Sequence, residues 1–265
     1  MQDESVKHPE LKLRSLKSGF ENPWHHPSHD SSDRALFEQR SQRISVVVPA
    51  KNEEEGIGAV LEACLPYADE VLVVDGHSTD RTREIAEEFG VRIVQDNGKG
   101  KGDAIRVALT VVTGDIVVFV DADHSHRPSD IPLLVAPILR DEFDHVVGSR
   151  SRGGSDELHG DIMKFARMIG SDIITLGINY RYNVRLSDSQ NGFRAIRTAV
   201  ARDLGLQENI TTIEQEMTIK TLAKGYRMGE VPAHEYARTF GERKIQLWRV
   251  SFRYVYSWLK YLLIA

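Results

Sequence analysis

From residue 44 onward, short uninterrupted apolar runs alternate with stretches whose apolar residues recur every three or four positions. Ile44-Ser-Val-Val-Val-Pro is β-branched, ends at a proline and gives way to Asn52-Glu-Glu-Glu, an acidic start for a helix. The pattern repeats as a strand at 70–75, a helix over 80–89, a strand at 91–95, a helix over 102–112 and a strand at 115–120. Strands apolar on both faces and separated by amphipathic helices predict an α/β fold, a mainly parallel central sheet flanked by helices. In such sheets ligands bind at the carboxyl ends of the strands, and that is where Pro49, Asp75 and Asp121 fall.

After Ser149 the pattern thins. A strand at 145–148, a loop rich in Arg and Gly, and helices over 160–178 and 212–224 are expected. Residues 1–43 form a polar extension with three histidines in His25-His-Pro-Ser-His29, to which no specific role attaches, and a short helix over 33–40 capped by Ser32 or Asp33. The main domain is then 44–244, and 245–265 is an amphipathic helix. At ~100° per residue, Arg249, Arg253, Ser257 and Lys260 share one narrow face of it, and the rest, Gln246 and Ser251 apart, is aromatic or aliphatic. That composition suits a peripheral membrane contact through 246–265; packing on the domain or a homo-oligomer seam are the alternatives.

Composition narrows the function. The chain of 265 residues is 41% hydrophobic and 28% charged, an ordinary globular balance, and its net charge of −5 argues against a nucleic-acid partner. From Gly225 onward the sign reverses, with seven Lys/Arg against three Asp/Glu, which suits an anionic bilayer. A single cysteine, Cys64, excludes an internal disulfide and sits at a helical apolar position, as a buried inert thiol does. The first residues lack a signal-peptide pattern and no apolar run reaches the ~18 residues of a spanning helix, so the cytoplasm, peripherally at the inner membrane face, is the expected compartment.

The candidate chemistry lies where strands end. Asp121-Ala-Asp123 places two carboxylates on one side of an extended backbone. They are either surface acids in a turn or a site for a hard cation, Mg²⁺ or Mn²⁺, with positions left for phosphate and water. Asn97-Gly-Lys-Gly-Lys-Gly supplies flexible backbone and two lysines before a helix, as a phosphorylated ligand requires, without the spacing of a P-loop. No Gly-x-Gly-x-x-Gly turn follows a strand, which excludes the dinucleotide fold.

Five segments in order, Ile44-Ser-Val-Val-Val-Pro-Ala-Lys-Asn-Glu53, Val73-Val-Asp-Gly-His-Ser-Thr-Asp80, Gly100-Lys-Gly102, Gly114 through Asp123 and Ser187-Asp-Ser-Gln-Asn-Gly-Phe-Arg194, resemble the inverting GT-A glycosyltransferases of family 2, with the dolichyl- and polyprenyl-phosphate mannose or glucose synthases most similar. The resemblance implies a hexosyltransferase using a GDP- or UDP-linked sugar, Mg²⁺ or Mn²⁺ and a lipid phosphate acceptor. It assigns Pro49, Ala50 and Glu53 to the nucleoside pocket, Asp75 to the base, and Lys101 and Ala122 to the same nucleotide. Asp121 and Asp123 would hold the metal, with Ser125 or His126 touching that shell. Arg150 and the 238–244 stretch, chiefly Arg238 and Lys244, would bring positive charge to the diphosphate or acceptor phosphate, and Glu214 and Glu216 would lie near the acceptor.

The chain departs from the family pattern at Lys51, Gly76, His124 and Arg243, which bears on donor detail. A phosphate acceptor needs no protein base. A soluble hydroxyl acceptor, a sugar or phosphoglycerate, would need Glu214 or Glu216. A non-catalytic nucleotide-sugar-binding protein is the third possibility.

Overall fold

A computed structural model describes residues 31–156, 162–237 and 247–264. The elements run α1 (Ser31–Glu38), β1 (Ile44–Ala50), α2 (Ile57–Cys64), β2 (Glu70–Asp75), α3 (Thr82–Glu88), β3 (Arg92–Gln95), α4 (Lys101–Val111), β4 (Ile116–Phe119), α5 (Ile131–Leu139), β5 (His145–Ser149) and α6 (Arg150–Gly153). They continue through α7 (Ile162–Tyr182), β6 (Arg194–Arg197), α8 (Thr198–Asp203), α9 (Ile213–Ala223), β7 (Met228–Pro232) and α10 (Leu247–Ile264). The strands form one sheet in the order β3-β2-β1-β4-β6-β5-β7. β1 to β4 pair in parallel, whereas β6 runs antiparallel to both β4 and β5, so the sheet is mixed with a single reversed strand.

Alternation along the central strands divides the core between the two faces of the sheet. Val46 and Val48 of β1, Val71 and Val73 of β2, and Ile116 and Val118 of β4 are buried on one face with Phe37, Ile57 and Leu61. Val47, Leu72, Val74, Val117 and Phe119 turn to the other, against Ala104, Ile105 and Ala108 of α4 and Met217 of α9. A third cluster joins Val147 to Ile174 and Ile178 of α7, Ile219 of α9 and Tyr261 of α10. There α7 and α10 approach so closely that a Cβ on Gly177 would stand 2.2 Å from Trp258 Cζ2.

Two differences from the sequence reading concern the ends of the chain. The short helix expected over 33–40 forms as α1 at Ser31–Glu38, but it belongs to the packed domain: it seats Phe37 in the core and pairs Asp33 with Arg140. Among the described side chains of α10 the buried ones are Ser257 and Tyr261, so the expected polar face is turned inward at Ser257. Cys64 is buried, and burial pushes its thiol up to about 12, which keeps it protonated. Among the described residues no helix is long and apolar enough to cross a membrane.

The turn into β4 shows how tightly the strand starts are tied. Gly114 N donates to Ser45 Oγ at 2.8 Å, and a Cβ at 114 would lie 2.6 Å from Ser45 N and 2.9 Å from Arg43 O. Both neighbours at that spacing include backbone, which cannot swing aside. Gly114→Ala should therefore lower stability by about 1–3 kcal/mol through overpacking, read as a fall in the urea midpoint with an unchanged slope.

Candidate active site

The chain turns sharply where the central strands end. Asn52 after β1, His77 after β2 and His124 after β4 all take positive φ, at 52°, 61° and 63°. Such residues are uncommon and cluster at sites where the fold overrides local preference. Each turn is braced. Asn52 N donates to Ser78 Oγ, His77 Nε2 lies 3.0 Å from Asp96 O, and His124 Nε2 lies 2.8 Å from Gly56 O. His124 thus supports the 53–56 turn.

Pro49 and Ala50 close β1 beside Asp75, which closes β2. Asp75 is buried and accepts from Ser78 N at 3.0 Å; Glu53 N donates to Thr82 Oγ1 at 2.7 Å. Asp121, Ala122 and Asp123 follow β4, with Asp123 Oδ1 accepting from Ser125 N at 3.0 Å.

Lys101 opens α4 and reaches across the site. Its Nζ lies 2.5 Å from Asp121 Oδ1 and 2.9 Å from Glu214 Oε1. Burial alone would lower its pKa, but the Asp121 and Glu214 carboxylates outweigh that and hold the ammonium charged, above its usual range. The motif glycines follow from this crossing. A Cβ on Gly102 would stand 2.5 Å from Glu208 O, and one on Gly192 would stand 2.7 Å from Lys101 Nζ and 3.0 Å from Asp121 Oδ2.

His126 completes this side. Its ring stacks on Phe193 at 5.0 Å, and Nε2 lies 3.0 Å from Asn191 Oδ1. Asn191 Oδ1 also accepts from Phe193 N while its Nδ2 donates to Gly148 O, so the amide oxygen faces the imidazole and Nε2 carries the proton. Nδ1 is left buried with no hydrogen-bond partner, 3.9 Å from Asp121 Oδ2. Two acceptors facing each other want a cation or the protons of its water between them. With the hard oxygens of Asp121 and Asp123, this donor set fits Mg²⁺ or Mn²⁺. Among the described residues no group of three or more His, Cys, Asp or Glu forms a ready cage.

In the 187–194 loop the structure gives individual members of the motif distinct partners. Glu230 accepts from Ser187 N and Asp188 N at 2.8 and 2.7 Å. Asp188 pairs with Arg150, Nε to Oδ2 at 2.6 Å. Arg194, fully buried, donates to Asn191 O, Glu214 O at 2.9 Å and Thr218 Oγ1. Burial lowers its pKa to about 10, so it stays charged at neutral pH.

Two expectations change here. Arg150, expected to meet a phosphate, is mostly buried and spent on Asp188 and, at 3.5 Å, Glu235. Glu216, expected near the acceptor, is fully buried and accepts from Gln207 N and Glu208 N while pairing with Lys220 at 2.7 Å. It fastens the 207–208 backbone. Glu214 does face Lys101, and its Oε2 is buried without a hydrogen-bond partner. Arg238 and Lys244 lie outside the described residues. Tyr254 of α10, missed in the sequence, stands beside this cluster. Burial and the neighbouring Glu214 push its hydroxyl up to about 12, and it donates to Thr211 Oγ1.

A mixed sheet with one reversed strand, a Gly-Lys-Gly helix start and two aspartates at the end of a central strand define the GT-A class of fold. The chain belongs to glycosyl transferase family 2, whose family model matches residues 45–205. It is 32% identical over 203 residues to the glycosyltransferase AglJ of Haloferax volcanii, across 75% of this chain and 64% of that protein's length. It is 30% identical to a dolichyl-phosphate hexose transferase of the same organism, across 76% of this chain and 86% of the relative. Among solved structures, glucosyl-3-phosphoglycerate synthase of Mycobacterium tuberculosis, in complex with Mn²⁺, UDP-glucose and phosphoglyceric acid, superposes with a TM-score of 0.69 and 26% identity over 91% of this chain and 87% of the other.

The Arg150–Asp188 pair sets an acid limit on the fold. Burial would raise the Asp188 pKa, but the Arg150 guanidinium outweighs it and holds the carboxyl below its usual range. A lowered folded-state pKa gives stability that is present above the unfolded value, about pH 4, and is lost as pH falls through the folded one. Asp188→Asn should therefore flatten the decline of the melting temperature below that pH and lower the melting temperature at pH 7, both measured by calorimetry.

Proposed function

We propose that this chain is a metal-dependent, inverting glycosyltransferase that moves a hexose from a GDP- or UDP-linked donor to a polyprenyl or dolichyl phosphate at a membrane surface. The observation that carries the choice of acceptor is an apolar ridge next to the site. On α7, Ile169, Ile173, Leu176 and Tyr180 are exposed at helical spacing; on α10, Phe252, Tyr256, Leu259 and Leu263 are exposed likewise. Soluble proteins rarely leave so much apolar surface uncovered.

Charge on the same two helices fits an anionic bilayer. They carry Lys164, Arg167, Arg181, Arg249, Arg253 and Lys260 against Asp172 alone, although the whole chain is −5. The inner face of α10 meets the site through Tyr254, whose carbonyl accepts from Gln215 Nε2 at 3.2 Å. A lipid phosphate held at such a ridge would present its oxygens to the Lys101–Glu214 side.

In this reading Pro49, Ala50, Glu53 and Asp75 enclose the nucleoside and Ala122 lies against the diphosphate. Asp121 and Asp123, with Ser125 beside them, would hold Mg²⁺ or Mn²⁺, which supplies positive charge to the departing nucleoside diphosphate. Lys101, Arg238 and Lys244 add charge to the phosphates. A phosphate monoester with a second pKa of about 6 is already largely dianionic at neutral pH, so its oxygen attacks the anomeric carbon without a protein base. Glu214 then positions Lys101. A hydroxyl acceptor, such as the phosphoglyceric acid bound to the M. tuberculosis neighbour, would instead require Glu214 as base.

Two measurements separate these. With Mn²⁺ and GDP- or UDP-hexoses, transfer to a polyprenyl phosphate should fall about 100-fold or more in Asp123→Asn and persist in Glu214→Gln. Transfer to phosphoglycerate alone, abolished by Glu214→Gln, would overturn the lipid acceptor. In sedimentation with phosphatidylglycerol-containing vesicles, the chain should pellet, and Leu176→Asp with Phe252→Asp should leave it in the supernatant.

A further inference from the structure

We propose that Lys101 holds the metal's electrostatic place at Asp121 until a nucleoside diphosphate draws it away, so that metal and nucleotide bind as one event. The inference rests on the metal-dependent reading above and adds a device to it. Lys101 Nζ lies 2.5 Å from Asp121 Oδ1, one of the two carboxylates available to a divalent cation, and 2.9 Å from Glu214 Oε1. An ammonium and a divalent cation on one carboxylate repel each other in a partly enclosed site. Metal alone must therefore displace the lysine or bind beside it, and either opposes binding.

The surroundings leave the lysine no easy retreat on its own. Its backbone is fixed at the start of α4, where Gly102 N and Asp103 N both donate to Asn209 O at 2.9 and 3.2 Å. Glu214 is buried, with Oε2 lacking a hydrogen-bond partner, so departure of the ammonium strands a buried carboxylate. At Gly192, where a Cβ would lie 2.7 Å from Nζ, the absent side chain leaves room beside the ammonium. A diphosphate offers anionic oxygens for the ammonium to follow, and the same diphosphate completes the metal's coordination. By linkage, each ligand then raises the affinity of the other by the same factor.

Lys101 is in this sense a positioning residue whose loss should produce a gain that purely structural damage would not. Free Mn²⁺ is followed by electron paramagnetic resonance during titration of the wild type, Lys101→Met, Lys101→Arg and the Lys101→Met/Asp121→Asn double variant, without nucleotide and then with UDP or GDP. The wild type and Lys101→Arg should bind Mn²⁺ weakly alone and tightly with nucleotide. Lys101→Met should bind Mn²⁺ alone about tenfold tighter or more, with the nucleotide's enhancement reduced by a similar factor, and the double variant should lose the gain. Lys101→Gln carries the same comparison should the methionine variant not melt cooperatively. Mn²⁺ binding without nucleotide that is no tighter in Lys101→Met or Lys101→Gln than in the wild type overturns the device while leaving metal dependence standing. Absence of Mn²⁺ binding in every variant, with nucleotide present, overturns both.

Discussion

A guanidinium sealed inside the protein determines where the site lies. Arg194 starts β6, the reversed strand, and its N–H groups reach the carbonyls of Asn191 and Glu214 and the hydroxyl of Thr218. Together these acceptors satisfy a buried charge that would otherwise be among the costliest local defects a fold can carry. The loop before β6 and the first turn of α9 are therefore locked to each other. From that lock hang Asn191, which orients His126, and Gly192, which lies against Lys101 and Asp121.

A second constraint comes from like charge. The topology brings Asp121 and Glu214, from β4 and α9, to one small volume, and they coexist because Lys101 stands between them. Elsewhere the same problem is solved by Arg150 between Asp188 and Glu235, and by backbone N–H groups and Lys220 around Glu216. Acids that look alike in sequence thus divide into those satisfied within the fold and those turned toward the site.

The first half of the sheet is readable because β1, β2 and β4 are buried on both faces and carry runs of Val, Ile, Leu and Phe. β6 reads Arg-Ala-Ile-Arg and β7 reads Met-Gly-Glu-Val-Pro, and neither pattern announces a strand. In β6 the first arginine is buried by its own hydrogen bonds, against the ordinary preference of its type. Helix α5 was missed for a different reason. Ile-Pro-Leu-Leu-Val-Ala-Pro-Ile-Leu carries Pro132 in its first turn, where a proline is tolerated, and Pro137 inside, where one normally ends a helix. For the site, Asp121, Asp123, Asp75 and Lys101 were found because they sit at strand ends or helix starts. Which carboxylates the fold consumes depends on partners distant in sequence, as Glu216 shows, and periodicity carries no record of those.

Gly192 has a consequence for how this chain can change over generations. Its missing side chain is space on which the Lys101 ammonium and the Asp121 carboxylate both border, so an alanine there would crowd two charged groups at once. Tolerance of a larger residue at 192 is therefore tied to positions 91 and 71 residues earlier in the chain, and drift there is expected to wait on both.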